Sequence, residues 1–146
     1  MTRYHYTESG LNNVWIESAT FERDDSGEDT ICIPAINDLH RVIAEGIVGK
    51  SGMTGAELRF LRSEMGMSQA ELGEILHKER LTVGRWERGE NPIDENAETV
   101  IRLVAIERLN LTFPTVEDVA ARSVPSAKEQ TITIDASDPE KYRLAA

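Results

Sequence analysis

Between Lys78 and Arg88 the chain places Lys78, Arg80, Thr82, Arg85 and Arg88 on a single short stretch. An arginine guanidinium is a planar fork of donors that fits two neighbouring acceptors, whether the N7 and O6 edge of guanine or two phosphate oxygens. A lysine ammonium is a compact point charge better suited to phosphate. The chemistry on offer is recognition of a polyanion that also presents base edges. Arg85 is the best candidate for reading a base, Arg80 and Thr82 for base or phosphate contact, and Lys78 and Arg88 for flanking phosphates. Nothing comparable is set up for catalysis: there is no glycine-rich phosphate loop, no HExxH and no nucleophile elbow. Cys32 lies in an apolar run, where a small buried side chain is expected, and His40 and His77 read as helix-surface residues.

Those side chains need a rigid element beneath them, and the surrounding residues supply one. Ser68 can cap a helix with Glu71 at the capping-box position, and Ala70, Leu72, Ile75 and Leu76 form its inward face. A short helix follows from about Glu79 to Arg88 and stops at Gly89. Once Val83 and Trp86 are buried, the helical period leaves Arg80, Leu81, Thr82 and Arg85 on the outer face. Upstream, Thr54 with Glu57 starts a helix carrying Leu58 and Leu61, which Gly66 ends. Downstream, Pro92 and Asp94 introduce an amphipathic helix with Ala97, Val100, Ile101, Val104 and Leu109 on one face, and Val116, Val119 and Ala120 suggest one more short helix.

The net charge of −10 argues at face value against nucleic acid, but its distribution does not. Residues 1–53 carry four Lys and Arg against nine Asp and Glu, residues 54–89 six against six, and residues 90–146 six against eleven. The middle is the least acidic third, so modest affinity that depends on two half-sites is expected.

The stretch Ser68-Gln69-Ala70-Glu71-Leu72-Gly73-Glu74-Ile75-Leu76-His77-Lys78-Glu79-Arg80-Leu81-Thr82-Val83-Gly84-Arg85-Trp86-Glu87-Arg88-Gly89 closely resembles the helix-turn-helix of the Cro/phage-repressor-like (XRE) family. In that arrangement the second helix enters the major groove of double-stranded DNA, and dimers read palindromes. The resemblance implies DNA contacts at Ser68, Gln69, Lys78, Arg80, Leu81, Thr82, Arg85 and Arg88. Gln69 matches a family position that meets phosphate at a helix N-terminus, where partial positive charge helps. It also implies an ion pair between Arg62 and Glu87 that joins two helices. Two positions depart from the pattern. His77 stands at the usual turn glycine and needs a left-handed backbone; Glu79 stands at the usual serine or threonine cap, where it caps poorly and repels phosphate.

Ahead of this stretch, Asn13–Phe21 and Thr30–Ile33 flank the turn-forming Asp24-Asp25-Ser26-Gly27 and read as a hairpin. A helix over about 36–48 and a linker at Gly49–Gly52 follow. With this β-containing unit in front, the chain looks like antitoxins of bacterial toxin–antitoxin pairs, especially the MqsA and HigA types, which bind a toxin and repress their own operon. A stand-alone or phage-type regulator is the alternative. The MqsA-type unit holds a structural zinc through paired cysteines; Cys32 alone, with His5, His40 and His77 dispersed, offers no such set, so no metal or other cofactor is expected.

The fold class expected is mainly α: a five-helix domain over 54–122, an N-terminal hairpin-plus-helix unit over 1–53 and a polar, acidic C-terminal tail over 123–146. Within that tail Thr131–Ile134 alternates like an edge strand. The apolar face of helix 94–109, the hairpin and this strand are the candidate surfaces for a homodimer. No apolar run is long enough to span a membrane, Met1–Tyr6 lacks the apolar core of a secretory signal, and cytoplasmic residence is expected.

Overall fold

In the computed structural model, which describes residues 2–112, 115–124 and 129–145, the chain begins with strands β1 (Arg3–His5), β2 (Val14–Glu17), β3 (Thr20–Arg23) and β4 (Asp29–Cys32). Helices α1 (Ile36–Gly49), α2 (Gly55–Glu64), α3 (Gln69–Leu76), α4 (Arg80–Glu87), α5 (Glu95–Arg108) and α6 (Val116–Arg122) follow, then β5 (Ile132–Asp135) and β6 (Arg143–Leu144). The expectation of a mainly α chain, with a five-helix domain and one N-terminal hairpin, is corrected. The described residues are 46% helical, with six α-helices joined by six strands in two sheets.

Two local causes account for the extra β-structure. Ser18 adopts a left-handed backbone at φ 58°, which breaks the run Asn13–Phe21 into β2 and β3. Only β3 then forms the hairpin with β4, in the register Phe21↔Ile31 and Glu22↔Thr30. The second cause is the tail. Ile132 and Ile134 are buried, and β5 runs parallel to β2 with Val14↔Ile132 and Ile16↔Ile134 in register. The sheet order is β1-β2-β5-β6, so the strand read as an edge is internal and unavailable for strand-to-strand dimerisation.

By contact density the chain forms two units, Met1–Ile43 with Thr131–Ala146, and Ala44–Gln130, with the division falling inside α1. In the first unit Val14, Ile16, Ile132 and Ile134 share one sheet face and are buried, as are Leu39, Val42 and Ile43 of α1. Tyr6 Oη and His40 Nε2 lie 2.9 Å apart, and the Tyr142 amide donates to Asp38 Oδ2 at 3.0 Å. Arg41, first, and this amide hold the Asp38 carboxyl below its usual range.

In the second unit α2 and α3 both start with complete capping boxes, Thr54 with Glu57 and Ser68 with Glu71. Each cap satisfies an otherwise orphaned amide and stabilises by about 1 kcal/mol. Leu58, Leu61, Leu72, Val83 and Ile101 are fully buried and form the centre of the helical core. Helix α5 is rotated from the face expected of it. Its buried residues are Ala97, Glu98, Ile101, Arg102 and Ala105, while Val100 is partly exposed. The reason is Arg102, which is fully buried and donates to the carbonyls of Ile47, Val48, Lys50, Gly52 and Arg122 as well as to Glu98 Oε2. One guanidinium thus serves the orphan carbonyls of the last turn of α1 and of the loop after it.

Candidate nucleic-acid interface

Helices α3 and α4 are joined by three residues, His77 to Glu79, and the turn works through its backbone. His77 takes the left-handed conformation, φ 57° and ψ 41°, that the position demands. The Lys78 amide then reaches back to the Gly73 carbonyl at 2.9 Å. This return passes so close that a Cβ on Gly73 would stand 2.5 Å from the Lys78 oxygen. Gly73 is therefore required for the tight crossing, a requirement the sequence reading missed. Its only sequence signal was a glycine inside a helical pattern. Glu79 occupies the N-cap of α4 without a side-chain hydrogen bond, leaving the Arg80 and Leu81 amides at the helix start without an intrahelical partner.

Helix α4 buries Val83, Gly84 and Trp86 and turns its other side outward. Leu81, Arg85 and Arg88 recur at the spacing of one exposed stripe, with half-buried Thr82 beside it and Arg80 at the helix start. Leu81 is 57% exposed and adds an apolar patch to this stripe. The side chains of Lys78, Arg80 and Arg85 are exposed and make no hydrogen bond or ion pair with any described residue. Arg88 differs, since its Nε is paired with Glu90.

Glu87 is held by Arg62 in a two-pronged pair at 2.6 and 3.0 Å, and Arg62 also donates to the Met67 carbonyl at 2.9 Å. Both partners of the pair are largely shielded from solvent. Hydrogen bonds to the Glu87 carboxylate raise the Arg62 pKa above its usual value. Gln69 joins the same cluster, donating from Nε2 to Glu87 Oε1 at 3.1 Å. One of its two side-chain donors is thus engaged within the protein, and the other is left for a phosphate at this corner beside the backbone amides of α3. The Ser68 hydroxyl likewise serves the Glu71 amide at 3.0 Å.

The fixed part of the site is therefore Arg62, Gln69 and Glu87, which lock α2, α3 and α4 together. Its free part is Lys78, Arg80, Leu81 and Arg85 on one outward surface. Among the described residues no three His, Cys, Asp or Glu side chains gather as a metal site, and no helix is long and apolar enough to cross a membrane. Cys32, read as buried, is only half-buried. No protein-family model, curated protein or solved structure matches the chain, so the reading of this surface rests on its own geometry.

Proposed function

We propose that the chain is a sequence-specific DNA-binding transcriptional repressor in which α4 enters the major groove and α3 lies across the backbone. One observation carries this reading: α4 is pinned by Val83, Trp86 and the Arg62–Glu87 pair, yet presents the Arg80, Leu81 and Arg85 side chains with no bond to any described residue. On α4 exposed arginines stand beside an exposed leucine. A base-reading surface combines the two, because guanine wants a forked donor and the thymine methyl wants an apolar neighbour. Two copies related by a two-fold axis would place two α4 helices about 34 Å apart, one turn of DNA.

The finer reading is an antitoxin that represses its own operon from the cytoplasm. It is supported by the separate first unit, which carries five Lys and Arg against eleven Asp and Glu. Such a unit suits a small basic protein. A regulator with no protein partner is the alternative, and co-expression separates the two: an antitoxin restores growth to cells expressing the adjacent reading frame.

The DNA reading is tested by fluorescence anisotropy on the duplex upstream of the protein's own reading frame against a scrambled duplex. Specific binding by a dimer, seen alongside by light scattering, is the expected result. Equal affinity for both duplexes, or a monomer that binds a half-site as tightly as a palindrome, overturns it.

A further inference from the structure

The second unit contains a cleft of about 530 Å³, within the size range of pockets that hold small organic ligands. Its wall is mostly apolar, with Met53, Trp86, Ile93 and Val124, and Thr54 and Glu98 are among its polar members. Glu98 is the unusual one. Its side chain is 2% exposed, and Oε2 takes both Arg102 donors, at 3.1 and 2.9 Å. No described residue donates to Oε1. A carboxylate has about four acceptor positions, and a buried one left short of donors is costly. Burial accordingly pushes the Glu98 carboxyl above its usual range, with Arg102 opposing the shift.

Both signs occur around the cleft, since Arg102 pairs with Glu98 and Lys50 acts on it, but the wall itself is not basic. No Lys or Arg is among its described lining residues, and the adjoining hollow is bordered by Asp94 and Glu95. This is the reverse of the outer face of α4, so the cleft is no extension of a polyanion-binding surface. A group that donates from a positive nitrogen would satisfy Oε1 and match this field. Its carbon frame would replace water along the apolar wall, and an aromatic ring in that wall favours an alkylammonium neighbour.

We propose that this cleft binds a small organic ammonium ion, whose N–H donates to Glu98 Oε1 while its apolar body lies against Trp86, Ile93 and Val124. Trp86 is also the buried anchor of α4, so occupancy bears on how that helix is held. The binding itself stands whether or not α4 reads DNA.

The test is isothermal titration of the full chain with phenethylammonium, with phenylacetate and 2-phenylethanol as isosteric anionic and neutral controls. Saturable one-to-one binding of the ammonium ion is expected, at about millimolar strength or tighter, and at least about tenfold stronger than either control. Glu98→Gln should weaken it by about tenfold or more. Since that change also touches Arg102, a second variant, Val124→Phe, narrows the cleft and leaves the Glu98–Arg102 pair intact. It should weaken binding by about tenfold or more with the circular dichroism spectrum unchanged. Absence of saturable heat at concentrations on the order of ten millimolar, equal binding of phenylacetate, or undiminished binding by folded Val124→Phe overturns the proposal.

Discussion

Arg85 on α4 and Arg102 on α5 belong to the same unit and carry the same five donors, yet the protein treats them oppositely. Arg102 is fully buried, with its donors on Glu98 and on carbonyls of the loop after α1. Arg85 is exposed and makes no bond to any described residue. The difference follows from what surrounds each. Around Arg102 a short irregular loop leaves carbonyls without partners, and a guanidinium is the side chain that can serve several at once. Around Arg85 the helix satisfies its own backbone and Trp86 already anchors the opposite side. An arginine there gains nothing for the fold, so its side chain is left to solvent or to the DNA proposed above.

The largest expected effect tests the buried half of this contrast. Arg102→Ala should destabilise the second unit by about 3–5 kcal/mol, because it strands both the Glu98 carboxylate and several buried carbonyls. Urea denaturation followed by circular dichroism measures it. Glu98→Gln should cost clearly less, since Arg102 keeps its carbonyl acceptors. Equal losses from the two variants would mean that the ion pair, rather than the loop, is what Arg102 is there for.

On the exposed half, Arg85→Ala should leave stability within about 0.5 kcal/mol while weakening operator binding by about 1–3 kcal/mol per half-site. Lys78→Ala should instead weaken operator and scrambled duplexes alike and flatten the salt dependence. Anisotropy titrations at several salt concentrations distinguish these. Unchanged operator affinity in folded Arg85→Ala protein would show that this face is not inserted into the groove.

The contrast also explains what could be read in advance. The starts of α2 and α3 were legible because capping boxes are local, with Thr54 and Glu57, or Ser68 and Glu71, only three residues apart. The outer face of α4 followed from Val83 and Trp86 by period alone. Arg102 was invisible, since arginine is normally a surface residue and the carbonyls it serves lie about fifty residues earlier. Its burial turned α5 away from the Val100 and Val104 face; Ala105 and the Glu98/Arg102 spacing were the overlooked signal. The alternation of Ile132 and Ile134 marked a strand, but nothing local named β2 as its parallel partner at the far end of the chain. The split at Ser18 was hidden because serine carries no strong preference for a left-handed backbone.

A smaller effect lies in the turn that aims Arg85. His77 holds φ 57° without being glycine, and His77→Gly should raise the thermal stability of the α3–α4 pair. The gain should be about 1 kcal/mol, net of the freedom glycine adds to the unfolded chain. Differential scanning calorimetry is the measurement. A loss of stability would show that the imidazole makes contacts that outweigh its backbone strain.

The smallest expected effect joins stability and recognition at one residue. Glu79 sits at the N-cap of α4 but accepts no hydrogen bond there, and its charge stands next to Arg80 where a phosphate would pass. Glu79→Ser should supply a cap hydroxyl for the Leu81 or Thr82 amide and add about 0.5–1 kcal/mol to stability. It should also tighten DNA binding a few-fold on operator and scrambled duplexes equally, because a charge removed near the backbone acts on every sequence. The ratio between the two duplexes should stay constant, in contrast to Arg85→Ala, which changes that ratio first. A stability gain without any change in DNA affinity would place the start of α4 away from the phosphate backbone, and would require a different docking angle for the helix that carries Arg85.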